Sequence, residues 1–284
     1  MEKEATIDGE FCCRRGPETP AQARHAARVA AVIGRIAGIF RHPVKGFTPE
    51  PRDGVELAAG GAFPCDRIFA VERGPSGFDP AAPGFISKQK FAVLAALAEV
   101  AKARTCYDEA NGLLSADAPG LPHFVGCLTD AAGCRDFVAW LTRLLPPDGK
   151  GPLQVVQAPG HHFLDHPKGH ISVINLASVR DLANKLGRPV DPLRFRANFY
   201  VEGWPAWTEL DGGEAAFSLG PVQAIMFKPI VRCVATHVDP VTAERDMDIV
   251  RALFDHYGHH HCGIYLHVTQ PGRVALGDTA VFEA

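Results

Sequence analysis

Glycine and proline interrupt this chain at intervals too short for long helices. It carries 28 glycines and 23 prolines in 284 residues. That density of turn formers forces many short elements, while 46% hydrophobic residues still supply a full core. The segments between turns are mostly β-branched and aromatic. Arg35–Phe40, Ile68–Glu72, Val155–Ala158, Ile171–Ile174, Phe195–Val201, Val222–Phe227, Ile230–Val238, Ile264–Val268 and Thr279–Phe282 read as strands. Phe91–Val100 is apolar with no decisive period, so strand and helix both stay open there. Three segments carry an apolar stripe of period 3.6: Asp130–Leu145, Asn175–Leu186 and Asp246–Tyr257. Many strands and few helices predict an α+β chain, mostly β, with barrel-like sheets and peripheral helices. PPDGKGP marks a boundary, giving a disordered tail over 1–31, a first β-barrel domain over 32–149 and a second over 150–284.

Charge and motifs exclude several classes. Lys+Arg 29 against Asp+Glu 32 leaves a net charge of -3, which does not suit a phosphate-coating nucleic-acid binder. There is no P-loop and no GxGxxG. The acidic start MEKEATIDGE lacks the basic region of a signal peptide, and Ala21–Phe40 carries Arg24, His25, Arg28 and Arg35, so no membrane span is expected. The eight cysteines show no CxxC and no regular spacing, which points to a reducing cytoplasm rather than a disulfide framework.

Among the cysteines, Cys233 has a distinctive context, KPIVRCVATHVDP. Arg232 and Lys228 place positive charge beside it, which favours the thiolate, the form that attacks electrophiles and binds soft metals. The alternative is a buried cysteine in a core strand. His237 follows four residues later; on one strand it would lie about 13 Å away, at about 3.3 Å per residue, so a Cys/His pair needs a turn between them. Lys45, Arg67, Arg194, Arg196 and Arg232 are either a phosphate cradle or ordinary surface cations. Arg194, Arg196 and Asn198 alternate along RFRANF and would share one strand face. The histidines at 256, 259, 260 and 261 and those at 161, 162, 166 and 170 lack the four spaced ligands of a structural zinc site, so they read as loop residues, solvated or edging a pocket.

RFRANF, then RCVATHVDP at Arg232–Pro240, then GIYLHV followed by PG and GD, resemble the MOSC domain family; HPVKGF and CDRIFAV resemble the β-barrel domain that precedes MOSC in amidoxime-reducing and related two-domain proteins. The resemblance spans about Val32 to Ala284. It implies a bound molybdenum cofactor (Mo-molybdopterin) with Cys233 as the molybdenum ligand, or alternatively as a sulfur carrier. It implies cofactor contacts from Lys45, Arg67, Arg194, Arg196, Asn198 and Arg232, with Ser172, Thr236 and Asp239 nearby. More distantly it implies pyridoxal phosphate binding. The activity implied is reduction of small N-oxygenated compounds, with electrons from a separate electron-transfer protein because no cysteine cluster suits iron–sulfur ligation. The alternative is a cofactor carrier or sulfur-relay protein working through a Cys233 persulfide. One departure is Gly46, where relatives usually place serine.

Overall fold

The computed structural model describes residues 31–147, 149–211 and 215–283. The tail expected over the first residues, with Cys12 and Cys13, falls outside these apart from Ala31. The chain opens with β1 (Ala31–Arg41), β2 (Glu50–Pro51), β3 (Gly54–Leu57) and β4 (Ala70–Arg73). It continues through β5 (Arg104–Asp108), β6 (Leu113–Asp117), β7 (Phe124–Cys127), helix α1 (Ala131–Leu144) and β8 (Leu153–Val156). Then follow β9 (Ile171–Asn175), α2 (Leu176–Leu186), β10 (Phe199–Glu202), β11 (Ala216–Leu219), β12 (Val222–Val231), α3 (Ile249–Tyr257), β13 (His261–Gln270), β14 (Gly272–Ala275) and β15 (Thr279–Glu283). The class is the one the sequence predicts: mostly β, with three α-helices among the described residues.

Seven strands close into a barrel in the order β10-β9-β13-β12-β11-β15-β1, and β1 returns to β10. The first described strand therefore completes a barrel otherwise made by the second half of the chain. Ile33 pairs with Val281 on one side and Ile39 with Phe199 on the other. Every pairing in the ring is antiparallel except β9–β10, and α2 supplies the crossover that a parallel pair requires. Ile36, Val173, Phe199, Trp204, Phe217 and Phe282 fill the interior at 1% exposure or less. A second core, centred on Phe47, Phe69, Phe137 and Trp140, lies beneath the β5-β6-β7 meander and α1.

The helices begin and end where local chemistry dictates. The Asp130 carboxylate accepts the Gly133 amide at 2.6 Å, and Phe137, Trp140 and Leu141 are the buried face of α1. Asn175 caps α2, Asp248 caps α3, and Gly187 and Gly258 close them in the left-handed region.

Two expected strands are shorter than the sequence suggests, and both changes shape the site. Phe195–Val201 is not one strand. Pro192–Phe195 is a 3-10 turn capped by Asp191, whose side chain accepts the Leu193 amide, and Arg196 follows in the left-handed region, so β10 starts only at Phe199. Arg194, Arg196 and Asn198 consequently do not share a strand face. Ile230–Val238 likewise ends as a strand at Val231, and Val234–His237 is a 3-10 turn that starts from Cys233. The ambiguous Phe91–Val100 is neither long strand nor α-helix: Phe91 bridges to Glu72, and a 3-10 turn runs over Ala98–Lys102.

Candidate functional site

The end of β1 runs into a segment, residues 41–47, that is buried throughout. It carries Lys45 inward at 2% exposure. The Lys45 Nζ donates to the Phe163 carbonyl at 2.9 Å and to Asp165 at 2.5 Å. Burial lowers the Lys45 pKa, and Asp165 opposes that fall. The next turn brings Arg67, paired with the fully buried Asp66 beside it; its Nη2 donates to the Arg196 carbonyl at 3.1 Å. Asp66 also accepts the His42 backbone amide at 2.6 Å. Arg67 and Arg196 have φ of 54 and 53. Non-glycine residues in that region cost roughly 1–3 kcal/mol each, a strain that typically collects at functional sites.

The 3-10 turn before β10 and the turn after β12 meet on the other side. Arg194 donates to the His237 carbonyl at 3.0 Å and pairs with Asp239 at 2.9 Å and Asp246 at 2.8 Å. Arg232 donates to the carbonyls of Phe195 and Cys262 at 2.8 Å, with its guanidinium 5.2 Å from the Phe195 ring centre. This staple passes Gly263, at φ 73, where a Cβ would come within 2.4 Å of the Val173 carbonyl and 3.2 Å of Arg232 Nη2. Between the two sides opens a cavity lined by Lys45, Arg67 and Lys88 on one wall and by Arg194, Arg196, Arg232 and Cys233 on the other. Among the described residues that line it, Asp165 is the one carboxylate.

Cys233 occupies the bend between β12 and its 3-10 turn. The Cys233 carbonyl accepts both the amide and the hydroxyl of Thr236, at 3.0 and 2.9 Å, and its Sγ accepts from Lys88 Nζ at 3.3 Å. Arg196 Nη1 donates to the Phe47 carbonyl at 2.5 Å, but its Nη2 is buried with no hydrogen-bond partner among the described residues. Burial, then Arg67, lowers the Arg196 pKa to about 10. A guanidinium with a buried, unpaired edge beside a cavity is a site prepared for an anion.

Family models match most of this architecture: the MOSC N-terminal beta barrel domain over residues 33–144 and the MOSC domain over residues 160–281. The chain is a two-domain MOSC protein. Among solved structures, the MOSC protein is similar to the YUAD protein from Bacillus subtilis at 14% identity, over 90% of this chain and 98% of that one, with a TM-score of 0.41. It is similar to YiiM from Geobacillus stearothermophilus at 20% identity, over 40% of this chain and 54% of that one, with a TM-score of 0.32. No curated protein matches it.

Most of the residues proposed from the sequence of this MOSC protein gather at the cavity. Lys45, Arg67, Arg194, Arg196, Arg232 and Cys233 line it, joined by Ser172 and Thr236. Asn198 does not: its Oδ1 accepts the Ser172 amide and hydroxyl at 3.0 and 2.8 Å, and its Nδ2 donates to the Phe40 carbonyl at 3.2 Å. That side chain ties β1, β9 and the start of β10 together. Asp239 also stays off the lining and orients Arg194 instead. His237 pairs with Asp248 at 3.2 Å and is not among the lining residues. Of the histidine loops, only His166 lines the cavity.

Lys88, Asp165 and Tyr265 line the cavity without having been singled out from the sequence. Nothing local distinguishes Lys88 from Lys90, and Asp165 lies in a histidine-rich loop with no periodicity. Gly46 has its own explanation. At φ 91, a Cβ there would lie 2.7 Å from the Val93 Cα and 2.9 Å from the Ala92 carbonyl, so the neighbouring segment fills the space a serine would need.

Some members of the MOSC family bind a molybdenum cofactor, and the donor set here suits one. Among the described residues no three His, Cys, Asp or Glu side chains gather as a metal cage. A metal at Cys233 would have to bring its other ligands with it, as a pterin dithiolate does. The phosphate of such a cofactor would meet the Arg196 edge and neighbouring cations.

His42 behind the site gives a pH prediction. It is wholly buried; burial, then Arg196 and Arg67, lowers its pKa to about 3 against the pull of Asp66. The unfolded chain binds this proton near pH 6.5, whereas the folded one does not. Stability is therefore lost as pH falls below about 6.5, by up to about 1.4 kcal/mol per pH unit. Denaturant midpoints between pH 7.5 and 5 should show this slope, and His42→Gln should flatten it by one proton's worth. Equal slopes in the two proteins would exclude His42 as the source.

Proposed function

We propose that this MOSC protein binds a molybdenum cofactor in the cavity and acts as an oxidoreductase on small N-oxygenated compounds such as amidoximes or hydroxylamines. A separate protein supplies the electrons, in the cytoplasm. The observation that carries this reading is the Cys233 thiol facing a cavity of cations in which a guanidinium edge, Arg196 Nη2, is buried with no hydrogen-bond partner among the described residues. In this reading residues 150–284 are the MOSC domain and residues 32–149 the preceding β-barrel domain, and both supply residues to the cavity.

Cys233 would ligate the molybdenum, and Lys45, Arg67 and Arg196 would hold the anionic end of the pterin. Ser172 and Thr236 form wall, and Arg194 and Arg232 hold the two turns in place. The cofactor, when bound, supplies the two-electron chemistry. The chain's own work is to orient it, to keep the Cys233 sulfur beside the Lys88 ammonium, and to admit a small substrate.

Turnover tests the activity. With a reduced dye as electron donor, molybdenum-loaded protein should reduce benzamidoxime or hydroxylamine in proportion to its metal content. Loaded protein without turnover would remove the reductase activity and leave cofactor carriage. The cradle has its own test. Arg196→Gln should keep the fold and lower cofactor retention about 10- to 100-fold, the worth of a lost charge-assisted hydrogen bond. Retention equal to the unaltered protein would take Arg196 out of the cradle.

A further inference from the structure

Lys88 reaches Cys233 from a distant stretch of sequence. It opens the 3-10 turn Lys88–Lys90, whose preceding Ser87 side chain accepts the Gln89 amide. Its Nζ donates to Cys233 Sγ at 3.3 Å and lies 3.6 Å from one Asp165 oxygen. The other Asp165 oxygen takes Lys45 Nζ at 2.5 Å. Two ammonium groups thus share one carboxylate, which leaves a positive charge over. Lys45 is buried and also bonded to the Phe163 carbonyl, whereas the Lys88 side chain is 34% exposed, so the surplus charge faces the cavity at Lys88.

This position has a consequence for whatever reacts at the sulfur. An atom bonded to Sγ at a metal–sulfur distance of about 2.3 Å stays within about 6 Å of Lys88 Nζ from any direction of approach. That lies inside the screening length of about 8 Å at physiological salt. Once the sulfur shares its electron pair with a metal or a carbon, its hold on the ammonium weakens. The ammonium is then free for a negative group on the incoming molecule.

We propose that Lys88 is a specificity-determining residue that favours substrates carrying an anionic oxygen, such as a carboxylate, next to the atom that reacts at the Cys233 centre. This rests on the reading of Cys233 as the reactive centre, and deepens it by naming a substrate class.

The test uses the full chain without cofactor, purified from a host unable to make one. Iodoacetate and iodoacetamide alkylate cysteine by the same displacement: sulfur forms the bond to carbon and iodide leaves. They differ in charge, and the ratio of their rates at one pH cancels the fraction of thiolate. The ratio is read at Cys233 by peptide mass spectrometry, with the exposed Cys106 as reference in the same digest. Lys88→Met should lower the iodoacetate preference at Cys233 about fivefold, the effect of one charge at this range, while Lys88→Arg keeps it. Cys106 should not change. Equal ratios in the unaltered protein and Lys88→Met, or no reaction at Cys233 with either reagent, would overturn the proposal. Because no metal is present, the result stands apart from whether molybdenum is the resident metal. A protein that holds no molybdenum yet keeps the charge preference would fail the proposed function and retain the anion selectivity.

Discussion

Cys233→Ala should leave the protein folded and strip it of molybdenum. The thiol is only partly buried, and among the described residues its side chain hydrogen-bonds Lys88 alone. The Cys233 backbone is extended, at φ -132 and ψ 175, which alanine adopts freely, and the turn after it is closed by the Cys233 carbonyl rather than the side chain. No core methylene and no staple is lost, so the unfolding free energy should move by no more than about 1 kcal/mol. A molybdenum held at Cys233 would, by contrast, lose the thiol that lines the cavity. Molybdenum per chain should drop at least about tenfold against unaltered protein from the same host, as expected when a soft metal loses its thiolate. Elemental analysis beside a denaturant titration reads both quantities. Full metal content in the variant would place the metal elsewhere.

The largest effect on stability should come from Asp66→Ala. Asp66 is fully buried, and its carboxylate answers the Arg67 guanidinium, the His42 amide at 2.6 Å and the His42 ring at 3.3 Å. Despite burial, Arg67 and His42 hold its pKa well below the usual carboxylate range. Removing it leaves Arg67, a residue already in the left-handed region, without its paired carboxylate, and leaves the buried His42 amide without its acceptor. The expected loss is about 3–5 kcal/mol. For a domain of this size that is a fall in Tm of roughly 10 °C. Asp66→Asn keeps an acceptor for the His42 amide and should fall between the two. A loss below about 1 kcal/mol in Asp66→Ala would mean that the pair contributes little beyond its own desolvation.

The parts of this fold that were legible in the sequence are those set by local periodicity and caps. Asp130, Asn175 and Gly187 mark their helix ends in the sequence as they do in the structure. Strand ends near the site were not legible. RFRANF carries strand-forming residues, but Asp191 and Pro192 before it impose a turn, and Arg196 takes a conformation that its residue type does not advertise. The hairpin of β5 and β6 was missed because Cys106, Asp108 and Ser115 give it little β character. Barrel closure by β1 was invisible for a different reason: it joins residues near 33 to residues near 281, and nothing local encodes that pairing.

The same divide runs through the site. Cys233 and its basic neighbours stand close together in sequence and share a motif, so they could be found. Asn198 carries the motif too, yet its hydrogen bonds go to Ser172 and Phe40, inside the fold. Lys88 and Asp165 become neighbours of Cys233 and Lys45 only when segments more than a hundred residues apart meet, and neither has a local signature.

What co-purifies with the protein decides whether this cavity is a molybdenum-cofactor site. Protein purified from a host that makes the cofactor, analysed together for molybdenum and for oxidised pterin released on denaturation, tests it most directly. About one molybdenum and one pterin per chain is the expected result, as a single-thiolate site requires. Folded protein from that host with neither molybdenum nor pterin would contradict it.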